Sequence, residues 1–126
     1  MAGLFLWLLR YTDPVKIALA QIDPTVADFR GNTARILQNV REAEKRGADL
    51  VVFPELCVCG YPTGDFVEKP SFVKQAVEAA AEIARGATAG KSISVICGTL
   101  ALSQPGAGKR VSNAAVLMSN VGVGER

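Results

Sequence analysis

Histidine is absent from this sequence, and cysteine is scarce, with three residues. Tetrahedral zinc needs four protein ligands, and the pair Cys57-x-Cys59 could add only Cys97, which lies in an apolar run. A structural metal ion is therefore disfavoured. The odd number of cysteines, without a convincing secretory signal, also argues against a disulfide framework and favours a reducing compartment. We expect free thiols and a cytoplasmic location.

Clusters of basic residues are also missing, because the 14 Lys and Arg and the 12 Asp and Glu are scattered along the chain. A nucleic-acid backbone demands such a cluster, so nucleic acid is not expected as a partner. The apolar run at residues 2–9 is far shorter than the roughly 20 residues that cross a bilayer. No membrane partner is expected, and residues 1–14 are predicted to be an extension outside the fold.

Apolar residues make up 49% of the 126 residues, which is enough for one small domain with its own core. Two Gly-Lys stretches, GATAGKS and GAGKR, lack the spacing of a phosphate-binding loop and are predicted to be a helix end and a hairpin loop. The remaining patterns predict the order β-α-β-α-β-β, with helices on one face of the sheet. The predicted elements are a buried strand at residues 15–22, a helix capped by Asn32 and Thr33 and ended by Gly47, a strand at 49–53, a helix from Pro70 to Gly86, a strand at 92–98, a loop at 103–108 and a strand at 111–118.

Glu55 follows directly on the second predicted strand, in the stretch VVFPELCVCGYP. α/β proteins place their ligand crevices at the carboxyl ends of parallel strands. A carboxylate desolvated at such a position suits a general base, provided that another group fixes its orientation. The residues alone leave two other roles open, those of a helix cap and of an ion-pair partner.

The segment KIALAQIDPTVADFRGNTARILQNVREAEKRGADLVVFPELCVCGYP resembles the opening of the nitrilase, or carbon-nitrogen hydrolase, superfamily. Within that superfamily, the continuation TGDFVEKPSF is most similar to the N-terminal glutaminase domain of glutamine-dependent NAD synthetases. The resemblance covers residues 15 to about 120. It implies an α/β fold that forms the first part of a four-layer α-β-β-α sandwich.

The resemblance also implies a Glu-Lys-Cys triad that hydrolyses glutamine to glutamate and ammonia. Glu55 falls on the general base of the family, and Tyr61 falls on an aromatic residue that lines the glutamine pocket. The nucleophilic cysteine of the family lies in a later strand-to-helix turn, so Cys57 and Cys59 are expected to be packing residues. In the family, a C-terminal synthetase domain uses the ammonia together with ATP and magnesium, and no cofactor is implied for the glutaminase domain.

Residues 15–126 are accordingly expected to be an incomplete glutaminase domain, because the lysine and the cysteine of the triad would fall beyond Arg126. This chain alone is expected to be inactive. Its uncovered sheet face should be apolar, which predicts self-association, and a homo-oligomer is expected. Two alternatives stay open: another amidase, carbamoyl hydrolase or nitrilase of the superfamily, and a stand-alone α/β interaction module without catalysis.

Overall fold

Four strands form one sheet in the computed structural model, which describes residues 14–106 and 108–120. The strands are β1 (Ile17–Leu19), β2 (Leu50–Val52), β3 (Ser94–Leu102) and β4 (Val111–Met118), in the spatial order β1-β2-β3-β4. The first three are parallel, and β4 runs antiparallel to β3 as the second arm of a hairpin. The predicted element order and the α/β class are confirmed. The predicted extension at residues 1–14 lies, apart from Pro14, outside the described residues.

Helix α1 (Phe29–Lys45) packs beside helix α2 (Pro70–Thr88), and both cover the same face of the sheet. A short 3-10 helix at Gly64–Glu68 precedes α2. Side chains from both helices and from β2, β3 and β4 form the main buried cluster. Its largest members with no exposed surface are Ile36, Ile83, Val51 and Val95. Neither helix in the described part of the chain is long and apolar enough to cross a membrane.

The start of α1 was predicted wrongly from the sequence. Asp28 is the N-cap, and its carboxylate accepts a hydrogen bond of 2.9 Å from the backbone N–H of Gly31. Asn32 and Thr33, the predicted caps, lie inside the helix and are buried. The predicted end is correct, because Gly47 follows the helix with a φ of 74°, a left-handed conformation that glycine adopts without strain.

The end of α2 also differs from the prediction. Gly86 does not stop the helix, which continues to Thr88. A side chain at Gly86 would lie 3.1 Å from a methyl carbon of Leu37 on α1, so this glycine permits a close approach of the two helices. The left-handed glycine that follows the helix is Gly90, with a φ of 67°.

The boundaries of two strands also differ from the prediction. β1 is shorter than predicted and is not a buried strand, because Ile17 and Leu19 are 57% and 72% exposed. It is an edge strand, and the helices cover only one of its two faces. β3 extends four residues beyond Gly98, since its hairpin partner β4 continues the pairing to Leu102 and Val111.

The sheet face opposite the helices is apolar, as expected. Leu19, Val52, Ile96 and Leu117 are successive cross-strand neighbours and form one row across all four strands. Leu19 and Leu117, at the two ends of this row, are 72% and 65% exposed. The predicted self-association through this face stays a prediction, as does the packing of a second sheet against it.

Candidate active site

Glu55 lies where the chain leaves β2 and continues beside β3. The backbone N–H of Phe53 donates a hydrogen bond of 2.9 Å to the carbonyl of Ile96, which keeps the chain next to β3 beyond the last residue of β2. Residues 54–60, termed the Glu55 loop below, then form a series of turns. Within this loop the Glu55 residue is exposed, whereas Leu56 to Gly60 are buried. The loop therefore presents one carboxylate to solvent, while its other residues pack against the protein.

Gly98 of β3 allows the Glu55 loop to pass very close to the strand. A Cβ atom at Gly98 would lie 2.4 Å from the backbone nitrogen of Leu56 and 2.7 Å from the Cα of Glu55. Both are backbone atoms and cannot rotate away. The Gly98 carbonyl also accepts hydrogen bonds from the N–H of Val58, at 3.3 Å, and from the thiol of Cys57, at 3.5 Å. The position of Glu55 is thus set by direct contact with β3.

The far end of the loop is fixed by the segment that precedes α1. Gly60 has a φ of 86°, and a side chain there would lie 2.5 Å from the backbone of Val26. The N–H of Ala27 donates a hydrogen bond of 3.0 Å to the carbonyl of Cys59. Only glycine combines this backbone conformation with so close an approach. Leu56 has a φ of 49° in the same loop, a conformation that is uncommon for a residue with a side chain.

Asn32 joins α1 to the middle of the loop. Its side-chain N–H groups donate to the carbonyl of Thr25, at 2.8 Å, and to the buried carbonyl of Val58, at 3.2 Å. Its side-chain oxygen accepts from the N–H of Thr25 at 2.9 Å. A fully buried amide with three satisfied hydrogen bonds specifies one arrangement of its neighbours. This role explains why Asn32 is buried in α1 instead of capping it.

The carboxylate of Glu55 accepts a hydrogen bond from Asn113 on β4. The Nδ2 of Asn113 lies 2.5 Å from Oε1 of Glu55, although the two residues are 58 positions apart in the chain. The expected desolvation of Glu55 was wrong, because the residue is exposed. Among residues 14–106 and 108–120 Glu55 forms no ion pair and caps no helix, so neither alternative role is observed.

All three cysteines are buried, with no exposed surface. Burial raises the pKa of Cys59 to about 11. The thiols of Cys57 and Cys97 are adjacent, and their hydrogen bond, followed by burial, raises the pKa of Cys97. Thiols with no exposed surface cannot reach a substrate in solvent. Their positions agree with the prediction that Cys57 and Cys59 are packing residues.

Tyr61, the predicted substrate-binding residue, follows the Glu55 loop directly and precedes the cis peptide bond to Pro62. It is 66% exposed, and no hydrogen bond joins it to Glu55 in the described part of the chain. Both residues are exposed, and Tyr61 follows the Glu55 loop in the chain. The assigned role of Tyr61 stays a prediction.

A groove of about 730 Å³ lies in the described residues away from Glu55. It runs between the first half of α2 and the β3–β4 hairpin and is lined by apolar side chains such as Val73, Val77, Leu102 and Val111. Neither Glu55 nor Tyr61 borders it. The same part of the chain contains no group of three or more His, Cys, Asp or Glu side chains that could hold a metal ion.

Asn113 was missed as a site residue in the sequence. It lies in the run VSNAAVLM, which was correctly predicted as a strand. Asparagine is depleted in strands, so a single amide in a mostly apolar strand was the available signal. The sequence gives no indication of its partner, because the contact with Glu55 depends on β4 lying next to β3.

Comparison with known proteins gives consistent matches. Residues 16–123 match the carbon-nitrogen hydrolase family. The glutamine-dependent NAD(+) synthetase of Acinetobacter baylyi is 35% identical over 109 residues, which cover 86% of this chain and 19% of that protein. The enzyme of the same name from Thermotoga maritima is 44% identical over 61 residues, covering 48% of this chain and 11% of the relative.

Among solved structures, a glutamine-dependent NAD(+) synthetase from Cytophaga hutchinsonii superimposes with a TM-score of 0.75 at 27% identity. The match covers 86% of this chain and 17% of that one. The described chain thus spans a fifth or less of the length of these relatives. The residues that match the family, 16–123, contain the four strands, both helices and the Glu55 loop.

Proposed function

This chain belongs to the carbon-nitrogen hydrolase family, and from that premise we propose that it carries part of the glutamine-hydrolysing site of a glutamine-dependent NAD synthetase. Glu55 is the general base in this proposal. The observation that carries it is the Glu55 carboxylate, exposed at the carboxyl end of β2 and hydrogen-bonded to Asn113. The names and identities of the relatives support the substrate, glutamine, over another amide.

The reaction would begin with proton transfer to Glu55. Asn113 donates its hydrogen bond to Oε1 of the carboxylate. Oε2 accepts no hydrogen bond from the described residues and could accept a proton from a nucleophilic thiol. The thiolate attacks the side-chain amide carbon of glutamine, and the carbon–nitrogen bond breaks as the proton passes from Glu55 to the leaving ammonia. Water then hydrolyses the thioester and releases glutamate.

Two groups of this reaction come, in the proposal, from parts of the intact protein other than the described residues. The nucleophile is not Cys57, Cys59 or Cys97, because all three are buried. The family resemblance implies a lysine that stabilises the negative charge developing on the amide oxygen. Tyr61, exposed beside the Glu55 loop, would line one side of the glutamine pocket.

The synthetase part of the intact protein would receive the ammonia. The family resemblance implies ATP and magnesium for that part. They would activate the carboxylic acid to which the ammonia is then added. No step of that chemistry is assigned to the described residues of this chain, which offer no cluster of metal-ligating side chains. A cytoplasmic location and a homo-oligomeric state complete the proposal.

The test uses the product of the natural gene and two assays, NAD formation driven by glutamine and NAD formation driven by ammonia. Glu55→Gln keeps the shape of the side chain and removes the base, so we expect the glutamine-driven rate to fall about 10²- to 10⁴-fold. The ammonia-driven rate should be unchanged. Glu82→Gln on the exposed surface of α2 makes the same change in charge and should leave both rates unchanged.

Other outcomes would show which part of the proposed function is wrong. Glutamine-driven activity that survives Glu55→Gln would show that Glu55 is not the base. Hydrolysis of other amides or of nitriles, without any NAD formation, would favour another enzyme of the superfamily. A natural product with the mass of this chain, 13.3 kDa, and no hydrolysis at all would favour the interaction module.

A further inference from the structure

We propose that Asn113 is a positioning residue, which holds the Glu55 carboxylate in the orientation that the general base requires. This inference rests on the proposed function of Glu55. The contact joins the Nδ2 of Asn113 to Oε1 of Glu55 at 2.5 Å. It is the one hydrogen bond of the Glu55 side chain among residues 14–106 and 108–120.

The hydrogen bond between the two side chains can form in only one direction. An ionised carboxylate only accepts hydrogen bonds, so the amide must present its N–H group and not its oxygen. The bond fixes one of the two carboxylate oxygens and thereby limits rotation of the group about its terminal torsion. A neutral donor orients the carboxylate without cancelling its charge, unlike an arginine or a lysine. With a neutral amide as its partner, the carboxylate keeps the negative charge that lets it take up a proton.

The backbones of both residues are anchored in one buried cluster. Leu56, the chain neighbour of Glu55, packs in this cluster together with Leu100. Leu100 is the cross-strand partner of Asn113 in the β3–β4 register. Leu56 and Leu100 are 6% and 5% exposed, so neither has room to shift independently. The hydrogen bond at the surface therefore joins two side chains whose separation is set by the packing beneath them.

Asn113→Leu removes the donor at nearly constant size and should lower kcat for glutamine hydrolysis by the intact protein about 10- to 100-fold. The KM for glutamine should change by less than about 3-fold, because Asn113 does not contact substrate in this proposal. Asn113→Asp, which keeps the shape but places a second carboxylate beside Glu55, should lower kcat at least as much. The ammonia-driven rate reports that both variants are folded.

Ser112→Ala is the matched control on the same strand. The Ser112 hydroxyl contacts the hydroxyl of Ser103 at 2.7 Å, so this change disturbs the hairpin without touching Glu55. We expect kcat within about 2-fold of the wild type, the usual size of effect for a surface substitution. A loss as large as that of Asn113→Leu would mean that hairpin integrity, and not the amide, matters, and would overturn the proposal.

A double-mutant cycle separates positioning from a general structural effect. If Asn113 acts through Glu55, then Glu55→Gln combined with Asn113→Leu should be no slower than Glu55→Gln alone. Losses that multiply would overturn the proposal, as would an Asn113→Leu protein with the wild-type kcat. A wild-type protein that does not hydrolyse glutamine would instead overturn the function proposed for Glu55, and the positioning role with it.

Discussion

The contact between Gly98 and the Glu55 loop makes a demanding prediction for Gly98→Ala. The new methyl group would meet the nitrogen of Leu56 at 2.4 Å and the Cα of Glu55 and the carbonyl oxygen of Pro54 at 2.7 Å. Overpacking of this kind costs about 1–3 kcal/mol. If the loop retreats to relieve the clash, it also loses the two hydrogen bonds that Cys57 and Val58 donate to Gly98, each worth about 1 kcal/mol.

We therefore expect Gly98→Ala to lower the free energy of unfolding by about 3–5 kcal/mol, a large part of the total stability of a small domain. Urea denaturation followed by far-ultraviolet circular dichroism measures this difference. Gly86→Ala is the control. That glycine is helical, and its new methyl group meets only rotatable methyl carbons of Leu37, at 3.1 and 3.3 Å. It should change the free energy by less than about 1 kcal/mol.

Equal effects of the two glycine substitutions would refute the reasoning, because they would show that the loop does not touch β3 at Gly98. The same variant also bears on the candidate base. The clash acts on the backbone of Glu55 itself, so glutamine-driven activity of the intact protein should fall even under conditions where Gly98→Ala remains folded.

Two further predictions concern buried groups around the loop. Asn32→Leu leaves the carbonyl of Val58 and the N–H of Thr25 without their partner, so it should lower the free energy of unfolding, measured by urea denaturation, by about 2–4 kcal/mol. Asn39→Leu is the control, because it removes one surface hydrogen bond and should lower the free energy by less than about 1 kcal/mol. Equal losses would contradict the role of Asn32. Burial raises the pKa of Cys59 from 9.0 to about 11, so its thiol contributes stability that is fully present below pH 9. About 2–3 kcal/mol of it is lost as the pH rises through 11. Wild type and Cys59→Ala should therefore converge in stability between pH 8 and pH 11, and parallel pH profiles would disprove this.

The sequence patterns predicted which helices and strands form better than they predicted the residues at which these elements begin and end. Periodicity placed both helices and all four strands, because one apolar face per element is a local property of the chain. The errors arose where tertiary contacts decide the outcome. Asn32 has the side chain of a helix cap but is used inside α1 to bind the loop. Gly86 has the conformational freedom of a helix end but serves helix packing.

The candidate site was predictable in part for the same reason. Glu55 could be found because it directly follows an apolar strand in the sequence, and the family motif around it is contiguous. Its exposure could not be found, since it depends on how Leu56 to Gly60 pack beneath it. Asn113 could not be assigned to Glu55, because a contact over 58 positions requires the strand order of the sheet.

The contacts of the Glu55 loop define the smallest piece of chain that could carry this geometry into another protein. The loop touches the segment before α1 through Val26 and Ala27, α1 through Asn32, β3 through Gly98 and β4 through Asn113. A graft of the VVFPELCVCGYP motif alone would lose all of these partners. A recombination point that preserves the carboxylate must lie before Thr25 or after β4, so this stretch of chain has to be exchanged as one cassette.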